Sequence, residues 1–156
     1  SLDNLWDGLG ALVVDNPDLK YFFGKVTMYL DYPKTGRDLI LSFIDHFFSD
    51  KDNLVVPKSP LKLHGDTTDF IDEISPLKYE EAYKILTRKL REINCSLPPL
   101  IAAYMNLSST MKSFGTALNK KFGEVEETGI LISISDIFEK KKERHINSYI
   151  SQKNGD

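Results

Sequence analysis

Apolar residues recur at helical spacing in two segments of the first third of the chain. The spacing predicts a helix over residues 4–14 and a second over residues 35–48, whose broad apolar face consists of Leu39, Ile40, Phe43, Ile44, Phe47 and Phe48. Thr35 is expected to cap the second helix. Gly8 and Gly10 lie inside the first helix, where glycine costs up to about 1 kcal/mol relative to alanine and suits the close approach of another backbone.

Two other segments are typical of β-strands. Residues 21–30 combine aromatic and β-branched side chains, with Gly24 as the expected site of a bulge. Residues 128–134 form an apolar run that predicts a buried strand. Because two strands do not make a stable sheet with two good faces, we expect a third strand. It would come either from the polar connector 49–69, where residues 61–63 are the candidate, or from a preceding part of a larger protein.

Three more helices are predicted in the second half of the chain. They begin at Ser75, with Pro76 in the first position, at the pair 98–99, and at Ser135. Residues 111–122 give no clear pattern. The residues expected to point inward from the last helix are Ile137, Phe138, Ile146 and Tyr149.

The order of these elements predicts a mixed α/β (α+β) fold with few strands flanked by helices. A chain of 156 residues suits one domain, which we place at residues 1–150, followed by a frayed tail at residues 151–156. The chain begins without methionine in a segment that reads as a helix. We therefore expect it to start inside a larger fold.

Composition and charge exclude several classes of protein. The net charge of −3 and the isoelectric point near 5.6 argue against a nucleic-acid-binding domain. The single cysteine excludes an internal disulfide, and a reducing cytoplasm is the expected compartment. The longest apolar runs fall far short of the roughly 20 residues that span a bilayer, so any membrane contact is expected to be peripheral, at the inner face.

Standard catalytic and metal-binding motifs are missing from the sequence. The histidines His46, His64 and His145 are scattered, and with one cysteine, Cys95, they predict no metal site. Neither a G-x-S-x-G elbow nor a phosphate-binding G-x-x-x-x-G-K occurs. We interpret His46 as a partly buried structural histidine, His64 as part of a surface loop, and Cys95 as an idle thiol.

The lysine run at residues 140–142 allows two interpretations. It is either a solvated helix face or a basic surface that meets anionic lipid headgroups or an acidic carrier protein.

Several motifs in their order along the chain resemble one known family. Residues 97–107, LPPLIAAYMNL, are similar to the signature block of the hemolysin-like acyltransferases. Residues 5–10, LWDGLG, and residues 21–27, YFFGKVT, match two earlier blocks, although Lys25 stands where proline is usual. The chain thus resembles the C-terminal part of the GNAT-fold N-acyltransferases that make ornithine and glycine lipids.

This resemblance implies a reaction and its substrates. A 3-hydroxy fatty acyl group would move from acyl carrier protein to the amine of an amino acid, glycine or ornithine, in aminolipid synthesis. No cofactor is implied, because the carrier-protein thioester is itself the donor substrate. The expected partners are acyl carrier protein and the amino-acid acceptor. The alternative is a non-catalytic α/β domain that binds acyl carrier protein or the membrane surface.

The resemblance also implies where the donor binds. Its phosphopantetheine arm would lie between two splayed parallel strands, of which residues 26–29 form the second. Tyr104 is the candidate catalytic residue near the leaving group or acyl pocket, although structural packing of its ring is equally consistent with the sequence. The other residues expected to bind the acyl donor are Val26, Thr27, Tyr29, Pro98, Pro99, Ile101 and Asn119.

Overall fold

The computed structural model describes residues 2–153 and confirms the mixed α/β class. Within these residues, no helix has both the length and the apolar character needed to cross a bilayer. The helices and strands are, in chain order, α1 (Leu2–Asp15), β1 (Tyr21–Met28), α2 (Lys34–Phe48), α3 (Thr68–Ile74), α4 (Tyr79–Glu92), α5 (Pro99–Met105), β2 (Lys112–Asn119), β3 (Val125–Ser133), α6 (Glu139–Lys142) and α7 (Ser148–Lys153).

The three strands form one antiparallel sheet in the order β1-β3-β2. β1 pairs with β3 over its whole length, from Tyr21 opposite Ser133 to Met28 opposite Glu126. The other edge of β1 has no partner strand among residues 2–153. The parallel neighbour that the family resemblance implies for β1 is therefore not part of the described chain.

The third strand comes from a segment that the sequence left unassigned. β2 lies within residues 111–122, and the connector contributes two isolated bridges to it, from Ser49 to Ser113 and from Pro60 to Ala117. The expected strand at residues 61–63 is wrong. The period of β2 is hidden because Gly115, with φ of +84°, adds one residue to the strand between Ser113 and Thr116.

The bulge predicted at Gly24 is also wrong. Gly24 lies in regular register opposite Ile130, and the sheet's irregularity is at Gly115 instead.

The predicted starts of two helices need correction. Pro33, not Thr35, is the N-cap of α2: its own backbone is extended (φ −55°, ψ 125°), and its carbonyl accepts the N–H of Arg37 at 2.9 Å. Ser75 closes α3 rather than opening α4: its backbone N–H and its hydroxyl both donate to the carbonyl of Ile71. By contrast, α5 starts at Pro99 directly after Pro98, as predicted.

The C-terminal segment is not a single helix from Ser135. A 3₁₀ turn at Ile134–Asp136, α6, a π-helical turn at Glu143–Asn147 and α7 follow one another. Ile137 is buried as expected, but Phe138 is exposed, contrary to the prediction. Residues 151–153 belong to α7, and residues 154–156 lie outside the described chain.

The two faces of the sheet have different surroundings. Val26 and Met28 of β1 and Ile130 and Ile132 of β3 point to one face, here called the inner face. They join a buried core with residues of α2, α3, α4 and α5. The residues that alternate with them, among them Phe23, form the opposite or outer face, which no helix of this core covers.

Helix α1 packs against the π-helical turn through a glycine. A Cβ at Gly10 would lie 2.1 Å from the carbonyl oxygen of His145, so only glycine fits there. His145 is buried, and its Nδ1 lies 2.7 Å from a carboxylate oxygen of Asp7. The close approach expected for the helix glycines is therefore found at Gly10, whereas a Cβ at Gly8 would meet nothing within 4 Å.

These two glycines make a matched pair for a stability test. Gly10→Ala should lower the free energy of unfolding by about 2–3 kcal/mol, because the added methyl forces α1 away from the turn. Gly8→Ala should raise it by about 0.5–1 kcal/mol, since alanine favours a helix that has room for it. Urea unfolding of both variants measures the difference. Equal effects of the two substitutions would contradict the packing described here.

A buried ionic network joins the start of α2 to the sheet. Arg37 donates through Nε and Nη2 to Oδ1 of Asp38 at 2.9 and 2.8 Å, and through Nη1 to Oε1 of Glu126 at 2.6 Å. The backbone N–H groups of His64 and Gly65 donate to Oδ2 of Asp38 at 2.7 and 2.8 Å. Arg37 thus joins α2 to β3 directly and to the connector through Asp38.

All three charged side chains of this network are at least nine-tenths buried. Burial lowers the pKa of Arg37, but the hydrogen bonds to Asp38 and Glu126 outweigh it, so that the pKa is raised overall. Oε2 of Glu126 has no hydrogen-bond partner in the described chain. Since buried carboxylates without a counter-ion are costly, Arg37 is the group on which the other two depend.

Removing Arg37 should therefore destabilise the fold strongly. Arg37→Met leaves two buried carboxylates without their counter-ion, and we expect a loss of about 3–5 kcal/mol in chemical denaturation. Arg88 provides the control, because its pairs with Glu73 and Glu92 lie at the surface. Arg88→Met should cost no more than about 1 kcal/mol. A similar cost for both variants would contradict the central role of Arg37.

Candidate active site

An apolar groove crosses the outer face of the sheet. It has a volume of about 550 Å³, which is within the range of pockets that hold small molecules. The rings of Phe23 and Phe114, whose centroids are 6.0 Å apart, lie beside Val55 and Pro57 of the connector. Gly129 of β3 has no side chain, and the side chain of Phe114 packs over it. The groove can accept an extended apolar group.

The groove contains a group of polar side chains on β1, β2 and β3. Lys25 donates to Oε1 of Glu127 at 2.5 Å, and Asn119 donates through Nδ2 to Oε2 of Glu127 at 3.0 Å. Oδ1 of Asn119 accepts the backbone N–H of Lys121, which fixes the orientation of the amide. The Lys25 ammonium also lies 5.8 Å from the ring centroid of Phe122.

The charge of Glu127 is set by these neighbours. The hydrogen bond from Lys25 lowers the pKa of Glu127 most, burial opposes it, and the hydrogen bond from Asn119 lowers the pKa further. Glu127 is therefore anionic at neutral pH. The groove thus combines apolar walls with one fixed anion and one cation that is half-exposed.

Two of the predicted donor-binding residues neighbour Glu127, and of these Asn119 lines the groove. Thr27 pairs in register with Glu127, so that its side chain lies on the outer face, and Asn119 contacts Glu127 directly. Val26 points the other way, into the core. Tyr29 lies beyond the end of β1 and is largely exposed.

The predicted residues of α5 lie on the opposite side of the sheet. Ile101 is buried in the core on the inner face, Pro98 is half-buried and Pro99 is exposed. Tyr104 is half-buried, and its ring meets the ring of Trp6 edge-on at 5.2 Å. Burial raises the pKa of Tyr104, so its hydroxyl keeps its proton and can act as a donor but not as a base at neutral pH.

The histidines and the cysteine do not form a site. His46 is exposed, with its ring edge-on to Phe47, so the prediction of a partly buried histidine is wrong. It lies with Asp45 on the polar side of α2. His64 lies in an exposed loop, and Cys95 is half-buried with its Sγ 3.6 Å from the carbonyl of Ile93. Among residues 2–153, no three His, Cys, Asp or Glu side chains are placed to hold a metal.

A second cavity, of about 420 Å³, lies between α2 and the connector. Its polar side chains include Ser42 and Thr67, whose hydroxyls are 2.8 Å apart and satisfy each other.

Sequence reasoning missed Lys25 and Glu127 as a pair. Lys25 carried one signal, because it replaces the proline that is usual in the resembling family. Glu127 carried no such signal, because it stands beside Glu126 just ahead of the apolar run at residues 128–134. Their pairing depends on the register of β1 with β3, which the residue pattern alone does not give.

An apolar groove with a charged group is the architecture of a site for an amphipathic ligand. Comparisons with known proteins give two curated relatives. The chain is 51% identical over 152 residues to a glycine N(alpha)-acyltransferase of Phocaeicola vulgatus, covering 97% of this chain and 47% of that protein. It is also 51% identical over 150 residues to a glycine N(alpha)-acyltransferase of Bacteroides thetaiotaomicron, covering 96% and 44%.

The chain therefore spans about half the length of the curated relatives it matches. No family model matches the chain, and no solved structure does so.

The electrostatics of the groove can be tested by titration. Glu127 should titrate below its ordinary pKa in carboxyl-carbon NMR, and Lys25→Met should raise that pKa. Because the folded-state pKa is depressed, the stabilisation from ionised Glu127 is present above the unfolded value near 4.3 and is lost as the pH falls through the folded value. Lys62→Met, which removes an exposed lysine of the connector, should leave the titration unchanged. An unchanged Glu127 pKa in Lys25→Met would contradict the ion pair.

Proposed function

We propose that this chain is part of an N-acyltransferase that moves a fatty acyl group from acyl carrier protein to the amine of glycine, as a step in aminolipid synthesis. The observation that carries the proposal is the 51% identity, over 97% of the chain, with a relative named glycine N(alpha)-acyltransferase. The apolar groove supports it, because a fatty acyl chain needs an apolar channel beside a polar reaction centre. Ornithine is the second candidate acceptor.

The reaction requires four events at one place. The amine loses a proton, attacks the thioester carbonyl to form a C–N bond, the C–S bond breaks, and the leaving thiolate takes up a proton. Tyr104 is the proposed proton donor to the thiolate, and because it lies on the inner side of the sheet it would reach the thiolate past the edge of β1 that lies away from β3. Backbone N–H groups beside the carbonyl would stabilise the oxyanion.

The unpaired edge of β1 is the proposed position of the donor's pantetheine arm. β1 has side chains on both faces, with Val26 inside and Thr27 outside. An arm along this edge would border the groove on one side and the core containing α5 on the other. In the proposed GNAT fold, a strand from the remaining length of the relatives would run parallel to β1 and complete the gap.

The proposed carrier protein is acidic, and the lysine run of α6 offers it a basic surface. Lys140 is exposed beside the exposed ring of Phe138. The same surface suits peripheral contact with anionic lipids.

The activity test uses the protein expressed from its complete gene. With 3-hydroxyacyl carrier protein as donor, mass spectrometry should detect acylated glycine in preference to acylated ornithine. Tyr104→Phe should lower kcat by about 10²-fold, the range of general acid catalysis. Tyr83→Phe, which removes another half-buried hydroxyl, should leave kcat unchanged. Tight donor binding without turnover would instead identify a non-catalytic carrier-binding domain.

A further inference from the structure

We propose that Lys25 and Glu127 bind the acceptor amino acid as a zwitterion, with the ammonium of Lys25 on its carboxylate and the carboxylate of Glu127 on its ammonium. This inference rests on the proposed function and names the acceptor subsite within the groove. It concerns binding and positioning before any bond is made.

The geometry of the pair suits such a ligand. Lys25 and Glu127 present opposite charges 2.5 Å apart beside the apolar walls of the groove. A free amino acid carries opposite charges separated by one carbon atom, so it can lie against both side chains at once. Asn119 holds Glu127 in place while the side chain of Lys25, which is 56% exposed, remains open to a carboxylate.

Exchange of the existing ion pair for the ligand is energetically easy. Opening the pair leaves neither charge isolated, because the ammonium of Lys25 is 56% exposed to water and Asn119 stays bonded to Glu127. A zwitterion then replaces one pair by two and keeps the local charge balanced. A ligand with a single charge would leave either Lys25 or Glu127 without a counter-ion, and it should therefore bind less well.

Binding of the amino acid at Lys25 and Glu127 would also bring its amine close to the acyl group. An amino acid on Lys25 and Glu127 has its amine at the wall of the groove that holds the acyl chain in the proposed function. Gly129 lies opposite Lys25 in β3 and has no side chain, and the Phe114 ring packed over it gives the acyl chain an apolar wall beside Lys25. The lowered pKa of Glu127 makes it a positioning anion rather than the base that deprotonates the amine.

The direct test is binding of glycine to the protein expressed from its complete gene, followed by NMR. Glycine should give saturable shifts at the amides of Lys25 and Glu127, while methylammonium and acetate should bind roughly tenfold more weakly. Lys25→Met and Glu127→Gln should each weaken glycine binding by about tenfold or more, and the double exchange Lys25→Glu with Glu127→Lys should restore part of it. Glu73→Gln, which breaks a surface pair elsewhere, should bind as the wild type does.

Kinetics separates this inference from the proposed function. In the active enzyme, both single variants should raise KM for glycine while leaving KM for the acyl donor unchanged. Glycine binding at these residues without acyl transfer would overturn the proposed function and keep the subsite. Acyl transfer with an unchanged KM for glycine in both variants, or glycine shifts that avoid these amides, would overturn the subsite alone.

Discussion

The placement of one buried guanidinium constrains the whole fold. Arg37 lies at the start of α2, and its two carboxylate partners connect it to the connector loop and to β3. The network fixes where α2 begins relative to the sheet. The apolar side of α2 then packs against the inner face. Because a buried charge tolerates little displacement of its partners, this contact sets the frame in which the looser apolar packing is arranged.

Because the Arg37 network places α2 on the inner face, the inner face forms the core and the outer face forms the groove. Alternation along β1 and β3 sends aliphatic residues inward, where they complete the core, and sends Lys25, Thr27 and Glu127 outward. These outward side chains lie outside the hydrophobic core, so they are available to contact a ligand. β1 takes part in both faces, which makes it the element that links the stability of the fold to the proposed reaction.

Residue pattern alone predicted the elements whose signal is local. The apolar face of α2 and the proline pair before α5 fixed those helices, and the apolar run of β3 identified a central strand. β2 escaped because Gly115 interrupts its alternation. The Arg37 network could not be read, since Arg37 and Asp38 look like surface residues of a helix start until Glu126 is placed beside them. The groove joins three distant segments, so only the sheet register assembles it.

The extra residue at Gly115 has a consequence for how such a site can change. Side chains on a strand alternate, so one added residue reverses the direction of every side chain after it unless a bulge absorbs it. In β2 the bulge at Gly115 absorbs the extra residue, and Asn119 lies on the outer face beside Glu127. Deleting the extra residue itself would leave a regular strand in which Thr116 still faces Thr128 and Asn119 stays outside. An insertion or deletion elsewhere in β2 would instead exchange the inward and outward residues beyond it. Evolution could thus redesign the polar part of the groove by insertion or deletion, without substituting any residue that contacts the ligand.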